Sequence, residues 1–417
     1  MITELYRKKA SLINIFSLPV VMTLVMITLN IEYGIVLITT LGIAIYIFYF
    51  KVQCTYTVRL ILLSGFLSRV VLIMLDQSFH VLPYNWDDYF YNGVAIKENI
   101  INHYPLYNSI QASLQVKVFS LINALIYWIV GNYESIIRVF CAFWGILAVE
   151  RLYRITQIIE LKSRESNLSI LIITFLPSFI IFSSLNMRDA LIIFLSFDLL
   201  YRVVYMQRYN LNFKFIILFF DIVAIYFLRK LNIVLYLLIF AIYILIQFVR
   251  RTKHKFWSIA LILVTITGLF IYFQDSSVLN FFLSYSNREV QWRSAGGAVY
   301  LPNTVYHSYL DIILWLPVRF FYFTFGPMPW QIDNAFMLMA FLESAFILFF
   351  LYGMKNSISG LFRENGNIIL FIFIFCLISL MANAVIDSNY GTAIRHKLNY
   401  ILPLIPLASP YWKKIKV

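Results

Sequence analysis

Stretches such as LNIVLYLLIFAIYILIQFV (231–249) recur along almost the whole chain, and they decide what it can fold into. Each is an apolar run of about 17–20 residues, long enough as a helix to cross roughly 30 Å of hydrocarbon. A backbone in lipid must satisfy its own hydrogen bonds, so such runs fold as packed helices. Composition agrees: of 417 residues 61% are hydrophobic and 18% aromatic, above the ~45–50% apolar share of soluble domains. The reading is an all-α polytopic membrane protein, one integral domain over 1–417. No internal repeat of solenoid length and no low-complexity tract interrupts it.

The runs fall at 12–29, 34–50, 57–75, 135–158, 168–186, 190–206, 213–228, 231–249, 256–273, 335–352, 367–386 and 398–411, about twelve spans. Basic residues place the loops between them. With Arg7, Lys8 and Lys9 on the cytoplasmic side, alternation puts several clusters there too. They are Arg151–Arg164, Arg202–Lys214, Arg250–Lys255, Lys355 with Arg363, and Lys413–Lys416. That gathers roughly twenty of the 33 Lys and Arg inside, the positive-inside pattern, with both termini cytoplasmic. The net charge of +13 is thereby topological, and nucleic acid is not a partner. No small-residue cleavage site follows the first apolar run, so no removable leader is expected. Cys54, Cys141 and Cys376 are scattered and suggest neither disulfides nor a metal site.

Two long polar segments, 76–134 and 274–334, then face outward. Within the first, 114–130 is apolar round much of its circumference but carries Lys117 and Asn123, and reads as an interfacial helix. Counting it as a span would place the later basic clusters outside. Within the second, Pro317, Pro327 and Pro329 argue against a simple crossing helix.

The first outer segment opens on LPYNWDDYFYNG (82–93), with Asp87 and Asp88 adjacent among aromatics. One carboxylate there can serve as general base for an acceptor hydroxyl while the other orients it or holds a cation. The plainer reading is that the pair favours a helix start, which Asn85 could cap. Three cationic sites also fall outward at tight turns, against the positive-inside rule: Arg188 with Asp189, Arg229 with Lys230, and Arg395 with His396 and Lys397. Such residues suit a phosphate or pyrophosphate headgroup; snorkelling to ordinary lipid is the bland account. His396 reads first as a headgroup or structural contact and second as a base. Tyr89, Arg288, Arg293 and His396 are candidates for an acceptor or second site. His103 reads as a surface or acceptor-site residue. Asp198, Asp221 and Glu343 lie inside apolar runs, where ionisable residues are functional candidates by default. They form no interpretable pattern. Motifs for nucleotide binding, zinc proteolysis or serine hydrolysis are absent.

An acidic pair in the first large outer loop resembles the GT-C superfamily of membrane glycosyltransferases. The likeness is nearest to the protein mannosyltransferase and aminoarabinose transferase branch. WDDYFYNGVAI is followed by an interfacial helix and by GNYESIIRVFCAFWGILAVERLYRI. LPSFIIFSSLNMRDALIIFL and FLRKLNIVLYLL come after, in an order similar to that family's. The resemblance covers roughly residues 60–250 and lies more in motif order than in any one motif. It implies a polyprenyl-phosphate-linked sugar as donor, Asp87 or Asp88 as catalytic base, and Arg229 or Lys230 on the lipid phosphate. SNYGTAIRHKLNYILPLIP resembles segments of polysaccharide-cluster membrane proteins, repeat-unit polymerases among them.

The leading expectation is inverting transfer of a sugar from a polyprenyl phosphate or pyrophosphate to a glycan or lipid acceptor at the outer face. Asp87 and Asp88 would supply the base, and Arg229, Lys230, Arg188 and Arg395 the phosphate contacts. A divalent cation (Mg or Mn) on Asp88 is an option. Second stands a repeat-unit polymerase with both substrates lipid-linked, in which Arg288 and Arg293 matter as much as the aspartates. Third stands a lipid-oligosaccharide transporter, disfavoured by the long outer loops and the lack of two related halves. A bacterial plasma membrane fits a chain rich in Ile, Phe, Lys and Asn with no glycosylation acceptor on an outward loop.

Overall fold

The computed structural model describes residues 31–50, 54–82, 89–108, 110–209, 215–252, 277–294 and 297–412. Sixteen α-helices dominate these residues, and the only strand-like feature among them is a bridge between Val299 and Asn389. Among the described residues five helices are long and apolar enough to cross a membrane: Ile31–Tyr49, Tyr56–Phe79, Lys230–Arg250, Ala335–Tyr352 and Met354–Ile386. The bent pair Ser163–Phe175 and Pro177–Ser183 makes a sixth if it counts as one span. Of the expected spans, 12–29 and 256–273 lie outside the described residues. The others fall on helices, some of them broken or carrying too many charges to meet that test.

The chain divides into two compact units. Unit 1 comprises residues 1–150 and 180–194. It holds α1 (Ile31–Ile45, ending in a π-helical turn), α2 (Tyr56–Phe79), α3 (Tyr89–Ile101), α4 (Leu114–Val130) and most of α5 (Glu134–Ile158). Thr55 starts α2 by accepting a hydrogen bond from the Val58 amide, and His80 ends it in the left-handed conformation. The helices α3 and α4 form a close pair. Gly93 permits it, since a Cβ there would lie 2.9 Å from that of Asn123. A helix is thus present over the predicted bounds, 114–130. Its Asn123 is fully buried and donates to Asn186 at 2.9 Å.

Unit 2 comprises residues 151–179 and 195–417. It holds α6 (Ser163–Phe175), the start of α7 (Pro177–Ser183), most of α8 (Asp189–Tyr209), α9 (Phe215–Leu228), α10 (Lys230–Arg251) and α11 (Ser277–Arg293). There follow α12 (Tyr309–Phe325), α13 (Ala335–Tyr352), α14 (Met354–Ile386), α15 (Tyr390–Ile401) and α16 (Ile405–Trp412). The 58° bend between α6 and α7 has a local cause. Leu176 precedes Pro177 and takes the extended conformation that a following proline imposes.

The 33-residue α14 is the central member of unit 2. Against it α10 packs through Tyr236–Phe375, Phe240–Phe371 and Tyr243–Phe371, with ring centroids 5.1–5.6 Å apart. Pro317 sits inside the 17-residue α12, which is not among the helices long and apolar enough to cross a membrane. One expectation changes here: 398–411 is not one helix. It runs from the end of α15 through a 3-10 turn at Leu402–Leu404 into α16, in a stretch carrying Pro403, Pro406 and Pro410.

Candidate functional site

The strongest polar constellation in unit 2 gathers where four elements end or begin. Arg293 is the last residue of α11, Arg229 is the single residue between α9 and α10, Asp387 caps the C-terminus of α14, and His396 lies midway along α15. A helix C-terminus already carries partial negative charge, so a carboxylate there demands cations. Arg293 meets it: Nη1 pairs with Asp387 Oδ1, while Nη2 donates to Glu289 Oε2 one helical turn back at 2.8 Å. The other Asp387 oxygen lies 2.7 Å from His396 Nδ1, and His396 Nε2 lies 2.7 Å from Arg229 Nη2.

The direction of these bonds follows from what each group can donate. Asp387 is fully buried. Burial alone would raise its carboxyl, but the His396 ring and the Arg293 guanidinium outweigh this and hold it well below the usual carboxylate range. An ionised carboxylate only accepts, so Nδ1 carries the ring proton. For His396, burial and then the Arg229 charge push the pKa down to about 4. The ring is neutral at pH 7, and its Nε2 lone pair accepts from Arg229. Arg293 Nη1 also passes 3.4 Å from Nδ1, but two donors make no bond. The resulting chain is Arg229 to His396 to Asp387, with Arg293 donating to the same carboxylate. It presents a neutral imidazole, fixed in one tautomer and flanked by two permanent cations.

Residues 298–319 build the seat of this chain. Residues 298–300 pair with 388–390 through Tyr300 N to Ser388 O (2.9 Å) and Tyr390 N to Ala298 O (2.8 Å). Arg319 of α12, fully buried, donates to the Ala384 and Asp387 carbonyls and to Ser388 Oγ at 2.6–2.9 Å. Tyr306 donates its hydroxyl to the Val385 carbonyl at 2.8 Å. The exposed carbonyls at the end of α14 are thus bound by side chains, which fixes the Asp387 backbone. The next residue after His396, Lys397, is also buried, bonded to Ser344 Oγ at 2.8 Å and to the Thr324 and Gly326 carbonyls.

The predicted residues distribute as follows. Arg229, Arg293 and His396 come together. Lys230, beginning α10, is exposed, and Arg288 is exposed over the Tyr285 ring at 5.4 Å. Arg395 is half-buried and projects about 100° round α15 from His396. In unit 1, Tyr89 is buried edge-on to Phe119, and Arg188 donates to Gln115 Oε1 at 3.3 Å. Asp87 and Asp88 lie outside the described residues. In unit 1, Asp76 accepts from the Leu82 amide at 2.6 Å and pairs with Arg138 at 2.8 Å. Arg138 in turn donates to the Ser184 carbonyl at 2.8 Å, which ties FSSLNMRD to α2 and α5.

The three acids inside apolar runs acquire partners. Asp198 is paired with Arg151 and Arg202, Asp221 with Arg202 at 2.8 Å, and Glu343 accepts from both the amide and the hydroxyl of Ser178. They read as structural. Asp387 is the residue that the sequence reading missed. Its signal was an acid directly after the C-terminus of a long apolar helix, where the dipole disfavours it. Among the described residues no group of three or more His, Cys, Asp or Glu is placed to hold a metal ion. Comparison with protein-family models, curated proteins and solved structures finds no match.

Proposed function

We propose that the chain is a membrane glycosyltransferase that moves a sugar from a lipid-linked phosphate or pyrophosphate to an acceptor hydroxyl, in cell-surface glycan synthesis. The observation that carries this reading is the oriented imidazole of His396 held between Arg229 and Arg293. Glycosyl transfer needs a base for the acceptor proton and cations for the departing phosphate, and these residues supply both. In the step proposed, the acceptor oxygen gives its proton to His396 Nε2 and attacks the anomeric carbon. The bond from that carbon to the phosphate oxygen breaks, and the negative charge that leaves is met by the two guanidiniums. Asp387 keeps the proton on Nδ1 and stabilises the imidazolium as it forms.

His396 thereby moves from a secondary candidate to the preferred base, with Asp87 and Asp88 retained as the alternative. One observation favours the repeat-unit polymerase version of this chemistry. Arg293, from the second outer segment, enters the same cluster as Arg229, and that version assigned the second segment equal weight.

The test is complementation in cells lacking the chromosomal copy, comparing His396→Gln, Asp87→Asn and Asp88→Asn at matched membrane levels. Loss of glycan with His396→Gln and retention with both aspartate variants is the expected result. Full activity of His396→Gln would overturn the assignment. Accumulation of unpolymerised lipid-linked units in the deletion strain would favour the polymerase, and loss of one side-branch sugar the single-sugar transferase.

A further inference from the structure

A cavity of about 720 Å³ opens in unit 2 towards the C-terminal ends of α8 and α10 and the early part of α14. That volume lies within the range of small-molecule sites. It is remote from the His396 cluster. Along α10, Gln247 stands eighteen residues after Arg229, about 27 Å at the rise of an α-helix. Along α14, Asn367 stands twenty residues before Asp387, about 30 Å. Arg208, Arg250 and Arg363 cluster in sequence at this end, which the charge rule reads as cytoplasmic.

Side-chain amides dominate the walls. Gln207 comes from α8, Gln247 from α10, and Asn365 and Asn367 from α14, together with the rings of Tyr243 and Phe248. Two of these amides are not satisfied. Asn365 is only 5% exposed; its Nδ2 donates to the Ile159 carbonyl at 3.2 Å, but its Oδ1 is shut from solvent and has no hydrogen-bond partner among the described residues. Oε1 and Nε2 of Gln207 are both in the same state. Buried polar atoms are ordinarily bonded, so three orphans on two residues lining one cavity call for a ligand. Gln207 makes no bond that holds its amide, so a bound group can draw it out. Gln247 Nε2 donates to Asn367 Oδ1 at 3.1 Å, which leaves Gln247 Oε1 as an acceptor and Asn367 Nδ2 as a donor.

The charges around the cavity do not favour an ion. Arg208 is paired with Glu160, and Arg250 donates to Asn367 Oδ1 at 3.3 Å. Glu364, exposed and part of the lining, would repel an anion. No group of three or more His, Cys, Asp or Glu among the described residues is placed to hold a metal. What the walls offer is neutral groups that donate and accept at once, with aromatic faces. The matching ligand is uncharged, carries several hydroxyls that also donate and accept, and has apolar C–H faces.

We propose that this cavity is a second binding site, for an uncharged sugar unit of mono- to disaccharide size. It is separate from the His396 cluster and independent of the chemistry proposed there.

The test is ligand-observed saturation-transfer NMR on the full chain in phospholipid nanodiscs, because a maltoside detergent would compete for the site. The probes are the methyl glycosides of glucose, galactose and N-acetylglucosamine, octyl glucoside, and glycerol 3-phosphate as a charged counterpart. The parent should bind at least one of the sugars, and Gln207→Leu should weaken that binding about tenfold, since leucine offers no hydrogen bond. Gly366→Leu should abolish it by filling the space. Gly366 lines the cavity, and a Cβ there meets nothing nearer than Phe362 Cδ1 at 3.8 Å. Neither change removes a bonded group, so both variants should keep the parent's Tm; if one fails to fold, the other decides. His396→Gln should bind as the parent does. Binding of methyl glycosides supports the site with a free glycan as its source, and binding of octyl glucoside alone supports it with a glycolipid as its source. No sugar bound by the parent, or binding that survives both Gln207→Leu and Gly366→Leu, would overturn the site. Binding lost in His396→Gln would assign the sugar to the transfer site and overturn it as well. Glycerol 3-phosphate bound in place of every sugar, and lost in Gly366→Leu, would make the cavity an anion site and refute the sugar.

Discussion

Asp387→Asn is nearly isosteric, and its effect can be worked out bond by bond. Arg293 can only donate, so the new amide must keep its carbonyl oxygen on that guanidinium. Its NH2 then faces His396 Nδ1, where a carboxylate oxygen had accepted at 2.7 Å. Two donors cannot share that contact, so the ring proton moves to Nε2. The nitrogen facing Arg229 becomes a donor as well, the 2.7 Å contact to Nη2 is lost, and the base has no lone pair to offer. The rate of transfer should fall by about 10²–10⁴, the usual contribution of a general base. Stability should fall by less than the ~3–5 kcal/mol of an orphaned buried charge, because Glu289 still accepts from Arg293. The assay is consumption of lipid-linked donor by membranes carrying matched amounts of each variant, with His396→Gln and the double variant alongside. Residues acting as one unit are strongly non-additive, so the double variant should be no slower than either single one. Transfer by Asp387→Asn within threefold of the parent would refute the orientation argument.

Other outcomes follow from the same contacts. Arg293→Ala should cost ~3–5 kcal/mol by leaving Asp387 buried beside a neutral ring, whereas Arg288→Ala, exposed over Tyr285, should change stability by less than about 0.5 kcal/mol; thermal unfolding in detergent compares them. His396 titrates near 4 in the fold against 6.5 ordinarily. The unfolded chain therefore takes up the extra proton between those values, and stability should decline as the pH is lowered from 6.5 towards 4, by up to about 3 kcal/mol. His396→Gln should flatten that part of the profile; an unchanged profile would contradict the assignment. Replacing Arg202 by Met leaves Asp221 without its cation and should destabilise by ~3–5 kcal/mol, while Arg202→Met with Asp221→Asn recovers part of the loss, readable as a double-mutant cycle.

The helices were legible because uninterrupted apolar runs are a strong signal, and α4 was found with its bounds despite being argued as interfacial. Where prolines cluster, as at Pro403, Pro406 and Pro410, the apolar run outlasted the helix, because hydropathy does not register a missing N–H. The site was legible in part. Arg229 stood out as a cation at a turn where the charge rule disfavours one. Arg293 and Arg288 looked equivalent, since only tertiary pairing with Asp387, 94 residues away, separates them. Asp198 and Asp221 stayed unexplained because Arg151 and Arg202 had already been read as topology markers. The same guanidiniums turn out to be their counter-ions.

That last pairing has a consequence for how the chain reaches the membrane. Asp198 and Arg202 stand one helical turn apart on α8, so this helix carries its own neutralisation when it enters lipid. Asp221 on the apolar α9 has no such partner on its own helix and is neutralised by Arg202, nineteen residues earlier. A lone charge on an apolar helix is expensive at the bilayer centre. The ion pair with Arg202 thus ties the charge of α9 to α8, so that Asp221 is neutralised where the two helices pack.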